Sequence, residues 1–115
     1  MHELSLAQEI VRLVQATAQR EQFHRVATLR LEAGALAGVE VNALRFALEA
    51  MVGGTCLEGA CIEIDEPPGV AWCDRCQSEV AIASRADPCP VCMGYPVKPI
   101  SGMALRVRDL VVVDD

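Results

Sequence analysis

The sequence predicts an α+β fold: two helices packed on a small three-stranded mixed sheet, with a zinc-ribbon-like four-cysteine insertion. Three observations predict it. Apolar residues recur at helical spacing in two segments, and they alternate in three others. Two Cys-x-x-Cys pairs then sit in a stretch rich in Pro and Gly that shows no sustained periodicity.

Residues 4–20 carry Leu4, Ala7, Val11, Val14 and Ala18 at spacings of three and four, the stripe of an amphipathic helix. Ser5 and Gln8 match a capping box, which puts the N-cap at Ser5 and leaves residues 1–4 as an arm ahead of the helix. Residues 25–33 read as a strand, with Ala27, Leu29 and Leu31 alternating with Thr28, Arg30 and Glu32. Gly34 to Gly38 reads as a turn. A second helix is expected over 41–52, with Val41, Leu44, Leu48 and Met51 on one face, ended by Gly53-Gly54. Residues 60–66 alternate again, Ile62 and Ile64 opposite Cys61, Glu63 and Asp65. Pro67-Pro68-Gly69 breaks the pattern. Residues 103–113 return to strand, with Leu105 and Val107 opposite Arg106 and Arg108. The phase slips near Asp109, and Leu110 to Val113 is continuously apolar, as a bulge or a deeper burial would produce. The insertion, 70–99, therefore interrupts a discontinuous α/β domain of residues 1–69 and 100–115.

A chain of 115 residues holds a modest core, and only 3% of the chain's residues are aromatic, so a metal staple is a reasonable supplement. Lys and Arg total 10 against 16 for Asp and Glu, a net charge of -6, with the basic residues scattered. That balance argues against nucleic acid and against an anionic membrane surface. The first residues include Glu3, Gln8 and Glu9 rather than a basic stretch and an apolar run, so no secretory leader is expected. No stretch has the length of apolar residues that a spanning helix needs. The expected location is cytoplasmic, where six cysteines point to metal or redox chemistry before disulfides.

Cys73-Asp74-Arg75-Cys76 and Cys89-Pro90-Val91-Cys92 form two Cys-x-x-Cys pairs, 12 residues apart. A two-residue gap lets both thiolates of one turn reach a single ion, and two such knuckles complete a tetrahedron. Soft thiolates in a closed set select zinc, or iron as in a rubredoxin-type centre. With sulfur in all four positions no place remains for an activated water, so a zinc here is structural rather than catalytic. A thioredoxin-like redox motif would instead open a helix in a βαβ unit, and both pairs lie in irregular chain. Cys56 and Cys61 lie outside the insertion and read as small apolar side chains; His24 reads as a surface histidine.

The amino terminus has its own chelate chemistry. A bulky second residue disfavours methionine excision, so His2 stays second. The Met1 backbone amine, the His2 amide nitrogen and the His2 imidazole can then close fused chelate rings, a nitrogen-rich set that suits Ni(II) or Cu(II). Glu3 can add an amide nitrogen or a carboxylate.

These residues resemble a known family. Met1-His2-Glu3-Leu4-Ser5-Leu6-Ala7 is similar to the start of HypA/HybF hydrogenase maturation proteins. The resemblance continues through 29–38, 43–49 and 102–107, with the paired knuckles where the family has its zinc domain. It implies a nickel-binding domain of two helices and a three-stranded sheet. It implies a nickel metallochaperone that delivers Ni(II), its cargo, to the large subunit of [NiFe]-hydrogenase, with a HypB-type GTPase as partner. It places nickel ligands at His2 and Glu3, an acidic residue used by some members at Glu40, and structural zinc at Cys73, Cys76, Cys89 and Cys92. Gln77 and Met93 stand directly after the knuckles, where many members have Gly, and a Pro common near Glu40 is absent.

Two other readings remain on the sequence. Cys89-Pro90-Val91-Cys92-Met93-Gly94-Tyr95 also fits a rubredoxin-like electron carrier, and the insertion fits a zinc-ribbon interaction module. No nucleophile–base constellation and no Gly-rich phosphate loop is present, so no enzymatic activity is expected.

Overall fold

The computed structural model describes residues 3–113. In chain order the elements are α1 (Glu3–Glu21), β1 (Val26–Ala33), α2 (Val41–Met51), β2 (Cys61–Asp65), β3 (Gly69–Cys73), β4 (Ser78–Ile82), β5 (Val97–Ser101) and β6 (Leu105–Val112). They form two three-stranded sheets, ordered β2-β1-β6 and β4-β3-β5. Two compact units divide the described chain: residues 3–31, 39–64 and 107–113, and residues 32–38 and 65–106.

In the first unit α1 buries Ala7, Ile10, Val14 and Ala18, a narrow stripe at spacings of three and four. The stripe is turned from the expected one. Ile10 rather than Val11 faces inward, and Leu4 is 60% exposed. The helix also starts before Ser5, so Ser5 is a first-turn residue and not the N-cap. A tertiary contact explains the longer helix: Glu3 accepts a hydrogen bond from the start of α2, which fixes the first turn. At the other end Gln22 takes a left-handed φ of 60°, and the Phe23 N–H donates to Ala18 O at 3.1 Å, a Schellman closure.

Helix α2 buries Leu44, Ala47 and Leu48 and packs on α1. The Val52 N–H closes it on Leu48 O before Gly53-Gly54. The central strand β1 buries Val26, Leu29, Leu31 and Ala33. Hydrogen bonds from Val113 N–H to Arg25 O and from Gly34 N–H to Ala104 O tie opposite ends of β1 and β6, so the two strands run antiparallel. On β1, Arg30 reaches Glu63 at 3.3 Å and Asp109 at 3.2 Å, a partly exposed bridge to both neighbouring strands. Along β6 the exposure pattern slips between Val107 and Leu110. Val111 and Val112 are 39% and 42% exposed, which removes deeper burial as the reason for the apolar run. The position of β6 at a sheet edge accounts for that exposure.

The second unit contains strands that the irregular sequence of 70–99 did not signal. Strand β3 pairs antiparallel with β4, Cys73 opposite Ser78, and with β5, Cys73 opposite Val97. Its core is Leu36, Ala71, Cys73, Val80, Ile82 and Cys89, with Cys76, Cys92 and Val97 packed against it. Gly34 and Gly102 approach so closely that a side chain on Gly34 would strike the Gly102 backbone. The Leu36 N–H donates to Gly102 O at 2.8 Å beside that contact.

Burial predicts a sharp contrast along α2. Leu48, fully buried, should lose about 3 kcal/mol of unfolding free energy as Leu48→Ala. Phe46, 75% exposed, should change stability by no more than about 0.5 kcal/mol as Phe46→Ala. Urea titration of the metal-loaded protein measures both.

Candidate metal centres

Strand β3 ends at Cys73, and Cys76 follows in the tight connection to β4. The second knuckle, Cys89 to Cys92, lies between β4 and β5. There the Met93 N–H donates to Cys89 O at 2.8 Å and the Cys89 N–H donates to Gly94 O at 3.0 Å, which curl the chain around the thiols. Among the described residues, all four sulfurs lie within 4.8 Å of one another. Cys73 and Cys92 approach to 3.7 Å, and Cys76 and Cys89 to 3.8 Å. A tetrahedron with metal–sulfur bonds of about 2.3 Å has edges of about 3.8 Å, so these thiols already stand near the corners a zinc or iron ion requires.

Backbone amides are aimed at the same sulfurs. The Cys76 N–H donates to Cys73 Sγ, and the Val91 and Cys92 N–H groups donate to Cys89 Sγ, each at 3.4 Å. The two donors on Cys89, Cys92 first, pull its thiol down to about 6. Desolvation, reinforced by the neighbouring cysteines, pushes Cys76 up to about 12. One thiol is thus readily ionised and another resists ionisation, the pattern of a sulfur cluster whose further deprotonation needs a cation among the thiolates. The donor set, its spacing and its amide bonds fit a closed tetrahedral metal site.

Gln77 and Met93 follow the second cysteine of each knuckle, and both adopt left-handed φ, 50° and 61°. The turn geometry that glycine would supply is therefore kept with a side chain in place. For Gln77 the side chain adds a bond, its Nε2 donating to Asp74 O at 2.5 Å. Met93 is 68% exposed and gains no comparable contact. The amide donors were not readable from sequence, although the two non-glycine positions after the knuckles marked where the backbone turns.

Of the amino-terminal candidates, Met1 and His2 lie outside the described residues. Glu3 opens α1, and its Oε2 accepts the Glu40 backbone N–H at 3.0 Å. Glu40 is the N-cap of α2, with its own Oε2 accepting the Ala43 N–H at 2.8 Å. The fold thus brings the two acidic candidates together. The capping role of Glu40 was not expected from sequence. Its place just ahead of the Val41, Leu44 and Leu48 stripe was the available signal. Cys56 is buried, and burial raises its thiol; Cys61 is exposed. Neither joins the sulfur cluster, and His24 lies exposed on the surface.

A sequence model of the family described as hydrogenase/urease nickel incorporation, metallochaperone, HypA, matches residues 1–112. The chain belongs to the HypA family. Hydrogenase maturation factor HypA of Cupriavidus necator is 60% identical over 114 residues, covering 99% of this chain and 96% of that protein. HypA of Polaromonas naphthalenivorans is 51% identical over 115 residues, the whole of both chains. The solution structure of the nickel metallochaperone HypA from Helicobacter pylori covers 100% of both chains with a TM-score of 0.69 at 18% identity. A second HypA solution structure gives 0.68 at 20% identity, and these likenesses establish the fold. HypA is a family of maturation factors named for nickel incorporation, and this member carries a four-cysteine cluster able to hold a metal. No described helix is long and apolar enough to cross a membrane.

The knuckle geometry generates a prediction. Relief of left-handed strain, about 1–2 kcal/mol, outweighs the greater unfolded-state freedom of glycine, about 0.4–1 kcal/mol. Met93→Gly should therefore raise the stability of the metal-loaded protein by about 0.5–1 kcal/mol in denaturant titration. Met93→Val should lower it, because a β-branched side chain tolerates that φ poorly.

Proposed function

We propose that the protein is a nickel metallochaperone that binds Ni(II) at its amino terminus and delivers it to the large subunit of [NiFe]-hydrogenase during maturation. The observation that carries this reading is family membership across residues 1–112, which includes the Met1-His2-Glu3 start. In this reading the Met1 backbone amine, His2 and Glu3 bind the cargo ion, with Glu40 close enough to Glu3 to contribute. Nitrogen donors in fused chelate rings suit Ni(II), and an open terminal site suits an ion that must be passed on. A HypB-type GTPase is the expected partner, so nucleotide hydrolysis would come from outside this chain. The six free cysteines accord with work in the reducing cytoplasm.

Cys73, Cys76, Cys89 and Cys92 hold a structural zinc in this reading. Four thiolates leave no open coordination position, so the ion would staple the small core around Leu36, Ala71, Val80 and Ile82. The amide bonds to sulfur also suit iron, and metal content separates the two.

Stoichiometry on tag-free protein purified without oxygen tests the whole reading. One colourless zinc per chain is expected; visible iron would shift the cysteine site to electron transfer. Nickel titration should show His2→Ala weakening binding by at least about tenfold, equivalent to about 1.4 kcal/mol. A blocked amino terminus should weaken it likewise. Equal nickel affinity for wild type and His2→Ala would sink the amino-terminal site.

A further inference from the structure

The first turn of a helix leaves four N–H groups without intrahelical partners. In a capping box the N-cap side chain takes the N–H of the third helical residue, and that residue's Glu or Gln returns a bond to the N-cap N–H. Helix α2 has only half of this device within itself. Its N-cap Glu40 accepts the Ala43 N–H, but Ala43 has no side chain to return the bond. The returning acceptor is Glu3, from the first turn of α1, 37 residues earlier.

We propose that Glu3 completes the capping box of α2 from another helix, so that a metal ion at the amino terminus and the first turn of α2 compete for the same carboxylates. The proposal rests on the amino-terminal nickel site proposed above. A carboxylate that turns toward a cation gives up the geometry that accepted an amide. If Glu3 moves, the Glu40 N–H exchanges its carboxylate acceptor for water; if Glu40 moves, the Ala43 N–H does. Both groups sit in the same turn of α2, whose exposed face carries Phe46. Metal occupancy is thereby written into the order of a helix end that a partner can touch. Coupling of this kind is reciprocal: what the cap loses when metal binds, metal affinity regains when the cap is supplied from elsewhere.

Ala43 makes the test direct, because its side chain is exposed and sits where a capping box places Gln. In full-length, tag-free, metal-free protein, Glu3→Ala should speed exchange of the Glu40 amide by about tenfold, the size of a lost cap. Glu3→Gln, which keeps an acceptor oxygen, should retain most of the protection and serves where Glu3→Ala folds poorly. Ala43→Gln in the Glu3→Ala background should restore it. In the otherwise wild-type chain, Ala43→Gln adds no charge and supplies the Glu40 N–H with another acceptor, so Ni(II) should bind about fivefold more tightly, within the range of a cap's worth. Two results would overturn the proposal: unchanged exchange of the Glu40 amide in Glu3→Ala, or unchanged or weaker nickel binding in Ala43→Gln. The His2→Ala control keeps the readings apart. Nickel binding that depends on His2 but ignores Ala43→Gln defeats the coupling alone, whereas binding indifferent to His2 defeats the amino-terminal site itself.

Discussion

Four sulfur atoms drawn within 4.8 Å of one another are the constraint on which the second unit depends. Its buried residues include Cys73 and Cys89 themselves, beside Leu36, Ala71, Val80 and Ile82. Few large side chains fill so small a core, and hydrophobic burial alone gives little margin in a unit of this size. Thiolates cannot be packed this closely without a cation to offset their mutual repulsion. The strands follow from that closure. Strand β3 runs into one knuckle, β5 leaves the other, and each five-residue strand gains its neighbours because the knuckles fix the ends. The amides of Cys76, Val91 and Cys92 aim at sulfur for the same reason: a tight turn around a thiolate turns N–H groups inward.

The first unit rests on ordinary helix packing. Ala7, Ile10, Val14 and Ala18 of α1 and Leu44, Ala47 and Leu48 of α2 are buried without any metal. Small residues among them let the helices approach, and Leu29 and Leu31 of β1 are fully enclosed in the same unit. What distinguishes this unit is the joint between the helix starts, where one carboxylate caps a helix that is not its own.

The sequence revealed periodic elements and missed those defined by closure. Both helices and the strands β1, β2 and β6 were legible, because each carries several turns or alternations of apolar residues. Strands β3, β4 and β5 were not, since Gly69 and Cys73 bound β3, Pro99 interrupts β5, and β3 and β4 abut the first cysteine knuckle. The four cysteines were legible from spacing alone, whereas the donors to their sulfurs are backbone groups that no side-chain pattern reports. Ser5 was misread as a cap for a related reason. A local motif competes with tertiary contacts, and the bond from Glu40 to Glu3 carries α1 past it. The same bond hid the cap of α2, because half of its capping box lies in a different helix.

The two metal chemistries proposed for this HypA chain would call for opposite protein environments. A structural ion needs a site with no vacant position, and the sulfur cluster has two of its cysteines buried and amide donors around it. A cargo ion needs the reverse: ligands that the fold can reclaim when the ion leaves. In the proposed site Glu3 and Glu40 would meet that need through ordinary helix capping, since each carboxylate has a backbone N–H within hydrogen-bond distance. An amide is a weak competitor for a carboxylate beside a divalent cation, but it is always present. It would give the empty state a defined structure and lower the cost of release, which a carrier requires as much as it requires affinity.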